Sequence, residues 1–326
     1  MKRKNKLHRY VNVIKGRGFE LVLQKLLKKA GFNFNIISNQ IISYKKNRIR
    51  GRSSTYDSDF IAEFPIVIPF SYPSLLIGEA KYHKRILEVK EARAFLGAFI
   101  DISQFAAINT RSKLFKYSQI FLHKRYNYIP VIFSKSGFRK NAQALMWAHG
   151  IYFVSYENSP VLDDINIKLD NLIKKINFEK LKKEDIKQLT DLENFKDLNP
   201  NSKKGGFSLA LKSLFDVINP TNSYFGLLDG IWPIHFLYKG KREIKPCLKN
   251  RECICKVKDN LVTVKRTLNK NSRNLGNFVL PKYFLEEYRK MSKNKKILQE
   301  ILLYIPKDGK IFPYYIKLYP EAKHNF

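Results

Sequence analysis

Acidic residues, cysteines and long apolar stretches are all scarce in this chain of 326 residues. Three cysteines are too few for a disulfide framework, which indicates a reducing, cytoplasmic environment. No run of about 18 consecutive apolar residues occurs, so no membrane-spanning helix is expected. The basic segment Met1 to Lys6 is not followed by a long apolar stretch, and a secretory signal peptide is therefore not expected either.

The shortage of acids leaves a large excess of positive charge. Lysines and arginines number 61 against 28 aspartates and glutamates, which gives a formal net charge of +33. An excess of this size favours polyanions as partners, with nucleic acid preferred over an anionic membrane surface. Hydrophobic residues make up 44% of the chain and aromatic residues 13%, which is enough to build a core and excludes disorder along the whole chain.

The charge is unevenly distributed along the sequence. Residues 1–160 and 207–326 are strongly basic, whereas residues 161–206 are nearly balanced and carry apolar residues at helical spacing. The length of the chain suggests about two domains. We therefore predict a first domain over residues 1–160, a charged helical connector over 161–206, and an α+β domain over 207–326.

Hydrophobic patterning in the first domain alternates between helical and extended periods. In chain order it predicts a helix over 18–30, strands over 33–43, 56–64 and 74–82, a helix over 86–105, and a strand, a helix and a strand between 129 and 154. This order is typical of a layered α/β fold with a partly mixed sheet.

Two of the few acidic residues lie where an active site can use them. Glu79 and Lys81 are two residues apart at the end of a predicted strand, so they share one face of it. Asp57 and Asp59 are both candidates for the functional acid of the preceding strand. Asp59 is favoured because an apolar segment follows it. A charged pair at the end of a buried strand is costly unless it is compensated. An exposed ion pair between Glu79 and Lys81 is the simplest alternative.

A divalent cation between Asp59 and Glu79 would provide that compensation. Mg²⁺ prefers hard oxygen ligands such as carboxylates, and Mn²⁺ is a possible substitute. Such an ion can bind a phosphodiester oxygen and lower the pKa of a bound water, while Lys81 assists the water or stabilises developing charge.

Several motifs in the first domain follow one another in a recognisable order. Gly18-Phe-Glu20 opens the first helix, Asp59 lies on an acidic strand, and Glu79-Ala-Lys81 ends the next strand. A strand, a helix and a strand between Ile129 and Val154 then close the segment. In this order and spacing, residues 16–156 resemble the PD-(D/E)xK nuclease core and, more narrowly, the Mrr-type restriction endonuclease family.

This resemblance implies a restriction-endonuclease-like fold, with a central mixed sheet flanked by helices. It also implies a Mg²⁺-dependent endodeoxyribonuclease of a restriction or defence system. Asp59 and Glu79 would be the metal ligands, Lys81 would assist the attacking water, and Glu20 would support the site.

Double-stranded DNA is the substrate that the resemblance implies. A homodimer with one site per strand is the expected assembly, and a cognate methyltransferase in the host is a candidate partner. There are two alternatives. One is a junction-resolving or repair nuclease of the same fold, and the other is a non-cleaving DNA-binding subunit of a defence complex.

A basic loop precedes the predicted catalytic strand. Its cations are candidates for contacts with the phosphate backbone beside the scissile bond. They are Lys45, Lys46, Arg48, Arg50 and Arg52. His83, two residues after Lys81, is a further candidate phosphate contact. For the loop and for His83, the alternative is an ordinary solvated surface.

Residues 207–326 match no family pattern. Alternating residues over 253–266 predict a hairpin with its turn at Asp259-Asn260, and a helix is predicted over 281–304. The positive charge of this region favours DNA recognition, and dimerisation or regulation are the alternatives.

Overall fold

A computed structural model describes most of the chain. The described residues are 2–36, 40–43, 47–64, 66, 70–105, 126–174, 213–239, 252–268, 271–283, 285–286, 299–307 and 310–320. The longer helices of the described residues are α1 (Lys2–Lys29), α2 (Val89–Ser103), α3 (Lys140–Ala148) and α4 (Pro160–Lys174). Over the described ranges, no helix is both long enough and apolar enough to cross a membrane.

Two sheets are formed by the first seven strands. A small antiparallel sheet has the order β1-β2-β3, and a second sheet has the order β4-β5-β6-β7. The strands are β1 (Ile41–Ser43), β2 (Arg48–Arg50), β3 (Thr55–Asp57), β4 (Phe60–Phe64), β5 (Ser74–Lys81), β6 (Asn127–Ser134) and β7 (Tyr152–Ser155). β4 runs antiparallel to β5, whereas β5, β6 and β7 are parallel. The carboxyl ends of the three parallel strands therefore meet at one edge, where ligands commonly bind in such sheets.

Apolar side chains fix the helices on this sheet. On α1, Phe19 and Leu23 are buried with Val131 and Phe133 of β6. α2 and α3 pack small or flexible apolar side chains around Ile132. These residues form a second hydrophobic cluster, separate from the one that contains Phe19 and Leu23. This packing holds α1 beside the carboxyl edge of β5 and so places its polar residues there.

The remaining strands form a closed barrel in the order β10-β11-β12-β9-β8-β13-β14. Its strands are β8 (Thr221–Leu228), β9 (Trp232–Lys239), β10 (Glu252–Lys258), β11 (Leu261–Leu268), β12 (Asn271–Val279), β13 (Gln299–Lys307) and β14 (Lys310–Pro320). Neighbours are antiparallel except at the closing pair, where β10 runs parallel to β14. Ile301, Leu303 and Ile305 alternate inward at the period of two expected for a barrel strand.

The predicted fold class is wrong. We expected a restriction-endonuclease-like central sheet flanked by helices, followed by an α+β domain, but the chain is dominated by strands and contains a closed seven-stranded barrel. The helix predicted over 281–304 is one source of this error, because Gln299–Lys307 forms β13. β13 pairs with β14 on one side and β8 on the other, and these long-range pairings override its local helical pattern.

Other local predictions fared unevenly. The strands predicted over 74–82 and 129–133 and the hairpin turn at Asp259-Asn260 are confirmed by β5, β6 and the β10–β11 pair. The strand predicted over 56–64 is interrupted at residues 58–59, which divide it into β3 and β4. The predicted basic loop contains β2, because Ile49 is fully buried between exposed arginines.

Polar contacts connect the barrel to the rest of the chain. At the end of α1, Lys29 Nζ donates hydrogen bonds to the carbonyl oxygens of Ile218, at 2.8 Å, and Thr221, at 2.9 Å. His235 of β9 lies between the Tyr156 hydroxyl, at 2.6 Å, and the Ser223 hydroxyl, at 2.7 Å. Complete burial lowers the pKa of His235 to about 3, so this link is uncharged at neutral pH.

Candidate nuclease site

Asp59 lies in the short break between β3 and β4. Its backbone N–H donates to the Gly78 carbonyl at 3.1 Å, and its Oδ2 accepts a hydrogen bond from the Ala80 N–H at 2.7 Å. Gly78 is required at this crossing because an added Cβ would lie 2.5 Å from Cδ2 of Phe60. The carboxyl group of Asp59 is thus fixed against the backbone at the end of β5, at the residue that follows Glu79.

Three polar side chains that the sequence did not single out hold the Asp59 segment. Asn47 Nδ2 donates to the Asp59 carbonyl at 2.8 Å, and Gln24 Nε2 reaches the same oxygen at 3.4 Å. The Ser58 hydroxyl contacts the Gly78 carbonyl at 2.8 Å. Gln24 had a signal, since it follows Glu20 by one helical turn. Asn47 had only a weak signal in the sequence, which is that asparagine adopts a left-handed conformation more readily than most residues. In the structure its φ is 46°.

Glu79 and Lys81 face the same side of β5, as the spacing of two predicted. Lys81 Nζ lies 2.5 Å from Glu79 Oε1, and both side chains are about one quarter exposed, at 24% for Lys81 and 25% for Glu79. The pair therefore reaches solvent at the carboxyl edge of the sheet, where a substrate can approach it.

Glu20 lies on the buried side of the same group. Its side chain is held by Arg17, whose Nη1 donates to Glu20 Oε2 at 2.7 Å. Burial raises the pKa of Glu20, Arg17 opposes that rise, and the charge of Glu79 adds to it. Because the charge of Glu79 acts on Glu20, α1 brings this acid within electrostatic range of the end of β5.

The charges of Glu20 and Glu79 destabilise the ionised form of Asp59. Burial, chiefly, together with the charges of Glu20 and Glu79, raises the pKa of Asp59 to about 8 against the opposing effects of the Ala80 N–H and Lys81. Without an added positive charge, Asp59 therefore retains a proton at neutral pH. An acid cluster of this kind favours a cation or a proton in its midst.

The structure places Asp57 and Asp59 in different surroundings. Asp57 belongs to β3 and its exposed carboxylate pairs with Arg48, whose Nε lies 2.7 Å from Oδ1. Asp59, in contrast, is electrostatically linked to Glu20, Glu79 and Lys81. Of the two aspartates, Asp59 is the one that belongs to the acid cluster.

The donor set suits a small, oxygen-preferring cation. In the part of the chain that is described, no three or more histidine, cysteine, aspartate or glutamate side chains are grouped as a metal site. Asp59 and Glu79 instead offer two carboxylates, which is the usual protein contribution to Mg²⁺, with water and phosphate completing the shell.

The predicted phosphate-binding residues lie next to the chain segments that carry Asp59 and Lys81. Arg48, Arg50 and Arg52 are exposed on or just after β2, which is joined to Asp59 through the neighbouring Asn47. Lys45 and Lys46, predicted with them, lie outside the described residues. His83 is exposed just after β5, and its pKa is lowered by partial burial and by the charges of Lys81 and Arg85.

The β2 arginines give a direct test of phosphate contact. Replacing Arg50 and Arg52 with glutamine should reduce the slope of log affinity for duplex DNA against log salt by about 2, because each lost phosphate contact releases roughly one counterion fewer. Fluorescence anisotropy in EDTA at several salt concentrations would measure this slope. The matched control replaces the exposed barrel residues Lys256 and Lys258. Equal slopes in the two double variants would contradict a role for β2.

Comparisons with known proteins do not assign a function to this chain, so the function has to be argued from the site. No family model matches the chain, and no curated protein matches it. One solved structure, described as that of the protein of unknown function AF1548, is similar at a TM-score of 0.32 and 14% identity, covering 62% of this chain and 94% of that one. A likeness this weak carries no argument about fold or function.

Proposed function

We propose that this protein is a Mg²⁺-dependent endodeoxyribonuclease that hydrolyses phosphodiester bonds in double-stranded DNA, in a restriction or defence role. The observation that carries the proposal is the acid cluster at the carboxyl edge of β5. The charge of Glu79 raises the pKa values of Asp59 and Glu20, and Lys81 Nζ lies 2.5 Å from Glu79 Oε1. An acidic centre in a chain of net charge +33 is suited to a metal ion and a polyanion together.

Each residue of the cluster has a distinct role in this proposal. Asp59 and Glu79 would hold Mg²⁺, which when bound neutralises phosphate charge and lowers the pKa of a bound water. The ammonium group of Lys81 orients the attacking water or stabilises the charge that develops on the phosphate. Glu20, anchored by Arg17, supports the site.

The sequence order of these residues also supports the proposal. A helix bearing Glu20, then Asp59, then Glu79-Ala-Lys81 resembles the motif order of PD-(D/E)xK nucleases of the Mrr type. Cleavage of both strands would follow from a homodimer with one site per strand. A cognate methyltransferase would then protect host DNA from the enzyme.

Plasmid cleavage tests the proposal. The purified protein should nick or linearise methylated or unmethylated plasmid in Mg²⁺ or Mn²⁺ and leave it intact in EDTA. Lys81→Met should lower the rate by about 100-fold, the typical effect of removing one group that stabilises developing charge. Tight DNA binding with no cleavage under any of these conditions would favour the non-cleaving subunit, and selective cleavage of branched DNA would favour the junction-resolving alternative.

A further inference from the structure

Arg17 lies one helical turn before Glu20 on α1, and the sequence did not single it out. Its Nη1 donates to Glu20 Oε2 at 2.7 Å, which is the one hydrogen bond that Arg17 makes within the described part of the chain. The two partners differ in exposure, because the side chain of Arg17 is 42% exposed and that of Glu20 only 10%. The ion pair therefore holds a guanidinium group at the protein surface beside a buried acid.

The direction of α1 places Arg17 towards the carboxyl edge of β5. The centre of the Phe19 ring lies 5.4 Å from that of Tyr82, the residue that follows β5. Just after the helix, the centre of the Phe32 ring lies 4.8 Å from that of Phe64, the last residue of β4. Because β4 and β5 are antiparallel, these two contacts lie at opposite edges of the sheet. The step back along α1 from Phe19 to Arg17 therefore leads towards the edge where β5 ends.

The face of α1 that carries Arg17 is directed at Asp59. Arg17, Glu20 and Gln24 are spaced by three and four residues, so they share one face of the helix. Gln24 Nε2 reaches the Asp59 carbonyl at 3.4 Å, which fixes the direction of that face. Burial lowers the pKa of Arg17, but Glu20 and, after it, Asp59 raise that pKa above its ordinary value. The guanidinium group is therefore within electrostatic range of Asp59.

Arg17 has the chemistry that a phosphate ligand requires. A guanidinium group presents five N–H donors in a planar fork and keeps its charge at neutral pH. Glu20 occupies one of these donors, and the partial exposure of the side chain leaves room for a second acceptor. The ion pair also restrains the long side chain, which lowers the entropy cost of binding that acceptor.

We propose that Arg17 binds a phosphate of the DNA strand at the acid cluster. The inference rests on the proposed nuclease function, and it adds a direct substrate contact to the hold that Arg17 has on Glu20. A metal at Asp59 and Glu79 would draw a phosphate oxygen to an edge where carboxylates alone would repel it. On the α1 side of the cluster, the strand would then meet a fixed cation that is able to form charge-assisted hydrogen bonds.

A double-mutant cycle separates phosphate binding by Arg17 from its support of Glu20. The wild type, Arg17→Met, Glu20→Gln and the double variant are titrated with a fluorescein-labelled DNA duplex at several salt concentrations. Ca²⁺ is present in place of Mg²⁺, because it also binds carboxylate oxygens. In both backgrounds, Arg17→Met should weaken binding by about tenfold and reduce the slope of log affinity against log salt by about 1. Arg17→Lys keeps the charge and should keep the slope.

Lys28→Met is the matched control. Lys28 is exposed on the same helix, roughly 16 Å further along the axis and away from the carboxyl edge of β5, so its loss should leave the slope unchanged. Three results would each overturn the assignment of Arg17: an unchanged slope in Arg17→Met, an effect that disappears in the Glu20→Gln background, or an equal effect of Lys28→Met.

The outcomes separate this inference from the proposed function. Mg²⁺-dependent plasmid cleavage by the wild type, together with an unchanged slope in Arg17→Met, would overturn the role of Arg17 and leave the nuclease proposal standing. Binding without cleavage would contradict the nuclease proposal, and the slopes would still decide whether Arg17 contacts a phosphate. A protein that binds no DNA would overturn both. Because Glu20→Gln removes the buried charge that Arg17 compensates, a lower slope in the double variant, at the melting temperature of Glu20→Gln, cannot be attributed to misfolding.

Discussion

Asp59→Asn should lower the rate of Mg²⁺-dependent DNA cleavage by about 10³-fold, the largest effect expected of any single substitution in the chain. Asparagine can still accept the hydrogen bond from the Ala80 N–H, so the local backbone should be preserved. Under the proposed function, the substitution removes a carboxylate ligand of a metal that would contribute several kcal/mol of charge stabilisation, with each 1.4 kcal/mol equal to about tenfold. Initial rates of plasmid nicking at saturating Mg²⁺ measure the effect.

The matched control for this substitution is Asp57→Asn. Asp57 is two residues away, carries the same charge and is exposed in an ion pair with Arg48. Exposed pairs contribute little, so cleavage by this variant should stay within about twofold of the wild type. If Asp57→Asn and Asp59→Asn reduce cleavage equally, the assignment of the metal ligand is wrong.

The second large effect is a dependence of stability on pH. In the folded, metal-free protein the pKa of Asp59 is about 8, whereas an unfolded aspartate titrates near 3.8. Because the folded state retains the proton longer, Asp59 favours folding at low pH, and this advantage is lost as pH rises from about 4 to 8. Each pH unit in that window costs up to about 1.4 kcal/mol. In EDTA, Asp59→Asn should therefore have a higher free energy of unfolding than the wild type, and the difference should grow between pH 5 and 8 by up to about 1.4 kcal/mol per pH unit.

Mg²⁺ should reverse this trend in the wild type. Metal binding requires the ionised carboxylate, so the stabilisation that Mg²⁺ gives should be small at pH 5, grow as pH rises towards about 8, and be absent in Asp59→Asn. Chemical denaturation at fixed pH, with Mg²⁺ or EDTA, measures both the free energy of unfolding without metal and the stabilisation that Mg²⁺ gives. A Mg²⁺ effect that is independent of pH, or that persists in Asp59→Asn, would show that the metal binds elsewhere.

Local patterns in the sequence were sufficient to place the acidic strand ends. The spacing of Glu79 and Lys81 was enough to put them on one face of β5, because side chains alternate along a strand whatever its neighbours do. The break at residues 58–59 was not visible, since it depends on the Ser58 hydroxyl and on Asn47, which act through contacts distant in sequence.

The barrel was the main feature that local patterns missed. Gln299–Lys307 contains residues compatible with a helix, and its strand conformation follows from pairing with β8, about 75 residues earlier in the chain. Closure of the barrel depends on a parallel pair between Cys253 of β10 and Leu318 of β14, which no single-segment periodicity predicts.

A Mn²⁺ titration followed by electron paramagnetic resonance tests the central claim most directly, because it detects metal held by the acid cluster whether or not DNA is cut. One binding event per chain is predicted for the wild type and for Asp57→Asn. Asp59→Asn and Glu79→Gln should each weaken it by at least about tenfold. Identical Mn²⁺ binding in all four proteins, or none in the wild type at pH 8, would contradict the account.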